Sequence, residues 1–352
     1  MKKLLRCKSS RAAWECRLSI FQIIKNFKNE KIALFIFCLA QIGFVFAAGE
    51  YKADPVIKEA DKDSISEAAP DKAARKPSTE RKVLVFSRTC GFRHYMGIVG
   101  AKEAIKSIAE KTKAFVPVFS DDISEFEPEN LKKYDAIILN NTTGMFLSKT
   151  DGELKNLSES EKKKSVEKSE KLLRNFMRYV ENGGGFLGIH GSADSYNYNP
   201  YKNADFAKMM NGHFVNHPWT INNDPVTIMI EDEKSPITKG IWKGKFFKIT
   251  EEIYQLSKDF DRRSCRVLLA LDIDKSPITT ENGKKAKIRE DRDIALVFIK
   301  KFGKGRVAYF GFGHDARNYK DKGIMKLLMR LAQFAYGDLK ANVSSIEKPS
   351  AD

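Results

Sequence analysis

The sequence predicts an α/β fold: a mostly parallel sheet flanked by helices, flavodoxin-like in layout, with an antiparallel edge hairpin. Three observations carry this. Apolar runs of strand length recur between residues 82 and 338. Segments with apolar residues at helical spacing lie between the early runs, as βαβ units require. The runs end in polar or glycine-containing turns (Ser87, Asn140, His190, Gly311), the boundaries expected of buried strands.

In order along the chain, Lys82–Ser87 reads as the first strand, and Gly97–Glu110, with Ile98, Ala101, Ile105 and Ile108 on one side, as the helix after it. Ala114–Phe119 and Asp135–Asn140 follow as strands. Leu172–Val180 is an amphipathic helix closed by Gly183-Gly184-Gly185, and Phe186–His190 is the next strand. Later strands are Val226–Ile230, Val267–Leu271, Ile294–Ile299 and Arg306–Phe310. The last two flank Lys300–Gly305, a hairpin turn by composition. Gly323–Tyr336 closes the fold as a helix with Ile324, Leu327, Leu328 and Leu331 on one face. Residues 149–171 are a charged, low-complexity insertion, expected as a solvated helix or surface arm.

The chain has 352 residues, 62 Lys+Arg and 46 Asp+Glu, for a formal charge of +16. Its 42% apolar content is that of a globular protein. Five cysteines with no Cys-x-x-Cys pair exclude a disulfide-stapled scaffold and a zinc knuckle. Lys2, Lys3, Arg6, Lys8, Arg11, Arg17, Lys25, Lys28 and Lys31, against Glu15 and Glu30, give the first 31 residues +7 of the total. Much of the basic excess is therefore N-terminal, and the rest is scattered lysine without a basic, aromatic-lined stripe, so nucleic acid is not an expected partner. Residues 32–48 are free of charge and end in small residues at Ala47, Ala48 and Gly49. Residues 1–49 are thus expected to be a secretory signal or, if uncleaved, a membrane anchor, which makes the protein exported. Residues 50–81 are polar and expected to be a flexible linker, residues 82–338 the folded domain, and 339–352 a disordered tail. Of the cysteines, Cys90 and Cys265 fall in the domain, and their spacing does not decide whether they pair.

The chain has five histidines, His94, His190, His213, His217 and His314. His94, His190 and His314 each close or follow a predicted strand, where open α/β sheets form their ligand crevice. Arg93 beside His94 is a candidate for clamping a substrate oxygen, and Asn141, Thr142 and Thr143 offer amide and hydroxyl groups after the third strand. His213 and His217 are four apart, but Pro218 favours a helix end or loop over a helix.

These blocks resemble the ThuA-like family, the trehalose-utilisation proteins, over about residues 82–338. The resemblance rests on Val83–Phe86 with Gly91-Phe92-Arg93-His94, Asn141–Gly144, Gly183–His190, His217-Pro218, Thr250–Tyr254 and Gly311–His314. Two features depart from the family: the insertion at 149–171, and Ile253 where an aromatic residue is usual. The resemblance implies a fold similar to class I glutamine amidotransferases. The turn that carries the nucleophilic cysteine in those enzymes carries His190 here, so amidotransferase chemistry is not expected.

Imidazole and carboxylate chemistry is what remains. The catalytic candidates are His190, His314 and Glu252. The substrate-binding candidates are Arg93, His94, Asn141, Thr142, Thr143, Asp194 and Tyr254. His190, His213, His217 and Glu252 could hold a divalent metal such as zinc, or the histidines could instead hydrogen-bond a sugar directly. Asp194 and Asp315 are candidate orienters of the imidazoles. Tyr196, Tyr198, Tyr201 and Trp219 could stack on sugar faces. Family resemblance implies a carbohydrate substrate, at the level of oxidised, 3-keto sugars. The expected function is cleavage or modification of such a glycoside, the alternative being a non-catalytic carbohydrate-binding module on the same scaffold.

Overall fold

Five apolar runs pair in parallel and set the position of everything functional. In the computed structural model these are β1 (Lys82–Phe86), β2 (Val116–Ser120), β3 (Ala136–Asn140), β4 (Gly185–Ile189) and β11 (Gly305–Phe310). The remaining strands are β5 (Phe214–Trp219), β6 (Val226–Ile230), β7 (Phe246–Ile249), β8 (Ile253–Leu256), β9 (Arg266–Leu271) and β10 (Ala295–Phe302). The main sheet runs β2-β1-β3-β4-β11-β10-β9-β6-β7, while β5 and β8 pair separately as a small antiparallel sheet. The structure describes residues 53–199 and 202–349; the segment read as a signal or anchor (1–49) and Tyr201 lie outside these. Among the described residues no helix is long and apolar enough to cross a membrane.

The fold class is the one the sequence predicts. The antiparallel part is wider than an edge hairpin: β11 pairs in parallel with β4, and β10, β9, β6 and β7 continue antiparallel beyond it. The hairpin therefore forms the junction between the two halves, and β7, with a partly exposed face, takes the edge. Strands β5, β7 and β8 are not evident from the sequence because β7 and β8 have only four residues each and Asn, His and Pro interrupt β5.

Alternation along each central strand feeds two cores. Val83, Val85, Ile138, Leu187 and Ile189 face one side, under α2 (Tyr95–Thr112) and α8 (Lys322–Ala335). Leu84, Phe86, Ile137, Leu139 and Phe186 face the other, under α5 (Glu159–Glu181). Each such fully buried side chain contributes about 1.5–3 kcal/mol. The charged insertion becomes the short α4 (Asp151–Leu154) and the first half of α5, each opened by a capping box, Thr150 with Glu153 and Ser158 with Glu161. Its first turns are solvated, and burial begins in earnest at Leu172.

Two segments depart from expectation. The expected linker contains α1 (Glu59–Ala68), and Ile57, Ile65, Ala68 and Ala69 join the core on the α2 side. A few apolar residues at the right spacing anchor it, although the segment is polar on average. The expected tail is also placed: Leu339 is buried, Ala341 and Val343 pack on the core, and Arg266 donates to the Ser344 carbonyl at 3.1 Å. Cys90 and Cys265 are not bonded to each other. Cys265 is buried, which pushes its thiol up to about 12.

One close approach locks two strand ends together. A Cβ on Gly97, in the first turn of α2, would lie 2.4 Å from the Gly313 carbonyl oxygen. One turn on, a Cβ on Gly100 would lie 2.7 Å from Ala316 Cα. The missing side chains let the loop after β11 lie directly on α2. Gly97→Ala is expected to lower unfolding stability by about 1–3 kcal/mol through overpacking against backbone; a urea titration checks this, and an unchanged midpoint would contradict it.

After β4 the chain makes a 3₁₀ turn, His190–Asp194, buried throughout. Burial pushes the Asp194 carboxyl up to about 6, against the opposing hydrogen bonds from Asn197 and Tyr198. The folded chain therefore holds this proton more tightly than the unfolded chain, and stability falls as pH rises from about 4 through about 6. Asp194→Asn removes that loss. It is expected to gain on the order of 2 kcal/mol relative to the parent on going from about pH 4 to about pH 7, measured as the difference between urea midpoints at the two pH values.

Candidate active site

The site is built where β1, β3, β4 and β11 end. His94 occupies the position just before α2, at the end of the β1 loop, with no side-chain cap on the helix. His190 follows β4 directly, and His314 follows β11 by four residues. Glu252 and Tyr254 come from the start of β8, outside the main sheet. The His94, His190 and His314 rings lie edge to face, with centroids 5.1 to 5.5 Å apart. One ligand atom from each of His94, His190, Glu252 and His314 lies within 4.8 Å of all the others.

His190 sits at a sharp elbow with φ 39°, a left-handed conformation unusual for a side chain with a Cβ. Its Nδ1 is 3.0 Å from the Gly311 carbonyl, so Nδ1 carries a proton and the ring is fixed in orientation. Nε2 points at Glu252 Oε1, 3.5 Å away. His94 Nε2 is 3.0 Å from the Tyr254 hydroxyl. The Tyr254 ring tilts over His190 at 4.1 Å between centroids. His314 Nδ1 lies 3.0 Å from Glu252 Oε1, an ion-pair contact that is not aligned as a hydrogen bond. His94 Nδ1, His190 Nε2 and His314 Nδ1 are all buried without a hydrogen-bond partner among the described residues.

Burial alone would raise the Glu252 carboxyl, but His190 and His314 beside it outweigh that and hold it well below the usual carboxylate range. Burial lowers His94 well below an ordinary histidine, and His190 and His314 add to the effect. Burial would lower His314 too, but the Glu252 contact prevails and raises it. Tyr254 is pushed well above its ordinary value by burial and by Glu252, and stays a neutral phenol. The cluster thus combines a buried anion, a neutral imidazole and a phenol.

The sequence candidates divide. His94, His190, Glu252, Tyr254 and His314 come together. His217 stands at the rim, its side chain 42% exposed, with Nδ1 3.4 Å from Glu252 Oε2. His213 does not join the expected ligand set. It is buried at the start of β5, with Nε2 3.3 Å from the Asn203 carbonyl and its ring stacked on Phe206. The segment is a bulged strand, not a helix, so four residues of spacing carry the two rings apart rather than onto one helical face.

Several residues expected to contact substrate are engaged by partners within the protein. Arg93 makes a bidentate pair with Asp54 at 2.8 Å from both Nε and Nη2, and also reaches the Ser87 carbonyl and Thr89 Oγ1. Asn141, at φ 54°, donates to the Gly313 carbonyl and accepts from the Gly191 amide, each at 3.2 Å. Thr142 Oγ1 pairs with Ser195 Oγ at 2.9 Å, and Thr143 Oγ1 donates to the Phe92 carbonyl at 2.7 Å. These residues knit the β1, β3, β4 and β11 loops together. Asp194 accepts from Asn197 Nδ2 at 3.1 Å, and Asp315 caps the turn Ala316–Lys320; the Gly311 carbonyl orients His190 instead. Tyr196 and Trp219 are buried core residues, while Tyr198 is exposed. Ile253 is also core.

Glu251 is a functional neighbour that the sequence does not single out. Its Oε2 accepts from the Gly313 amide at 2.7 Å and from Asn318 Nδ2 at 2.8 Å, and its Oε1 accepts from the Glu252 amide at 2.8 Å. It fastens the β8 segment to the β11 loop and so carries Glu252 to the histidines. The adjacent acidic pair is the available signal, with one member for the site and one for the scaffold.

The fold has counterparts among known structures. A structure described as a ThuA-like protein from Bacteroides uniformis matches with a TM-score of 0.55 at 21% identity, over 74% of this chain and 93% of its own. One from Parabacteroides merdae matches with a TM-score of 0.49 at 16% identity, over 78% and 94%. No curated protein matches the chain. The sequence model of the ThuA family, described as trehalose utilisation, matches residues 82–335, and the chain belongs to that carbohydrate-related family.

Proposed function

We propose that the protein cleaves or modifies a glycoside at the His/Glu252 cluster, with a divalent metal ion such as zinc held by His94, His190, Glu252 and His314. The observation that carries this reading is that one ligand atom from each of His94, His190, Glu252 and His314 lies within 4.8 Å of the others, while each of the three histidines has a buried ring nitrogen that no hydrogen bond satisfies among the described residues. An unsatisfied buried polar atom costs about 1–3 kcal/mol. Three of them around one carboxylate fit a single shared ligand, and a three-imidazole, one-carboxylate donor set suits zinc. A bound ion would act as a Lewis acid toward a substrate oxygen.

The chain's own groups account for the proton chemistry. His217, exposed at the rim and beside Glu252 Oε2, is placed to take a proton from the carbon next to a ketone. In a 3-keto glycoside, breaking that C–H bond leaves an electron pair conjugated with the ketone. Expulsion of the glycosidic oxygen then breaks the C–O bond and leaves a carbon–carbon double bond. The proton returns to the departing oxygen, so neither water nor an oxidant is consumed. Tyr254 and the Gly311 carbonyl hold His94 and His190 in place during these transfers. The carbohydrate assignment is supported by family membership. Export belongs to the same proposal and rests on the sequence of residues 1–49; sequencing the mature N-terminus tests it, with a start near residue 49 expected.

Elemental analysis of the protein after loading with zinc is expected to give roughly one ion per chain. His190→Ala and His314→Ala are expected to lose most of it. A wild-type chain that takes up no zinc, manganese or cobalt would overturn the metal assignment.

With a 3-keto glycoside as substrate, His217→Ala is expected to lower turnover by roughly 10²–10⁴-fold while retaining zinc. Saturable binding without product by the wild-type chain would reduce the protein to a binding module.

A further inference from the structure

Arg93 is the residue immediately before His94, and its guanidinium is engaged by the N-terminal segment and by the β1 loop. It pairs with both carboxylate oxygens of Asp54 at 2.8 Å, and it holds the Ser87 carbonyl at 3.1 Å and Thr89 Oγ1 at 3.3 Å. Arg93 therefore ties the start and the end of the loop between β1 and α2 to one point on the N-terminal segment. The chain just beyond Asp54 is itself anchored: Ile57 and Ile65 are buried in the core, and Lys111 Nζ donates to the Ala69 carbonyl at 2.8 Å, holding the end of α1 on α2. Lys102 Nζ, from α2, lies 3.8 Å from Asp54.

We infer that Asp54 is a positioning residue for His94, acting through Arg93, and that residues 53–69 form a strap required for the geometry of the site. This rests on the reading of His94 as a ligand, but its mechanical part does not. The bidentate fork fixes the Arg93 backbone in angle as well as position. A shift of the loop path would carry the His94 ring out of its contacts with Tyr254, His190 and His314. The side chains of Arg93 and Asp54 are 10% and 25% exposed, so the pair is partly shielded from solvent, unlike the fully exposed ion pairs that contribute little.

The test uses the full chain and two readouts. In Asp54→Asn, amide hydrogen exchange over residues 89–96 is expected to quicken by about tenfold or more, while exchange in β3, β4 and β11 stays unchanged. Zinc affinity, measured by competition with a chromogenic chelator, is expected to fall about tenfold, and Asp54→Glu to recover much of it. Unchanged exchange in 89–96 would overturn the inference, as would faster exchange spread evenly through the sheet, which means only general destabilisation. If the wild-type chain binds no zinc, the metal assignment falls and the exchange readout alone decides the strap.

Discussion

The whole site depends on one buried carboxylate. Glu252 is only 7% exposed, yet it stays ionised. A lone carboxylate taken out of water would be neutralised or would not be tolerated. Here three imidazoles approach its two oxygens, His190 and His314 at Oε1 and His217 at Oε2. The anion in turn sets the character of its neighbours: it raises His314 against burial and helps keep Tyr254 protonated. Glu252 comes from the edge of the small β5–β8 sheet, while His190 and His314 come from the ends of main-sheet strands. The electrostatic centre is therefore also the seam between two pieces of backbone.

That seam is held by groups that touch no reacting atom. Glu251 grips the Gly313 amide and Asn318, Asn141 bridges the β4 and β11 loops, and Gly97 lets the β11 loop rest on α2. A rigid outer layer of this kind is what holds side chains from four separate segments in register. It also explains why so many polar residues of the characteristic blocks are buried and engaged with backbone rather than open to a ligand.

The sheet is legible in the sequence because its strands are apolar runs with clear ends, and the histidines at those ends are legible because histidine is scarce in this chain. The internal partners of Arg93 and Asn141 are not legible, for a physical reason. A guanidinium or an amide looks the same in sequence whether it binds a ligand or ties two loops, and the partner decides. Asp54 lies 39 positions from Arg93 and Gly313 lies 172 from Asn141, separations no local pattern reveals. Helical spacing links His213 and His217, but a strand with bulges separates them. The α1 segment is hidden because its average polarity masks a few well-spaced apolar residues.

The backbone at His190 carries a wider lesson. With φ at 39°, the amino acid that would sit there most comfortably is glycine, and holding a residue with a Cβ in that region costs on the order of 1–3 kcal/mol. Selection for thermal robustness alone would thus drift toward replacing this imidazole. Directed evolution of the scaffold for stability alone would act early on this position and would remove the imidazole that faces Glu252.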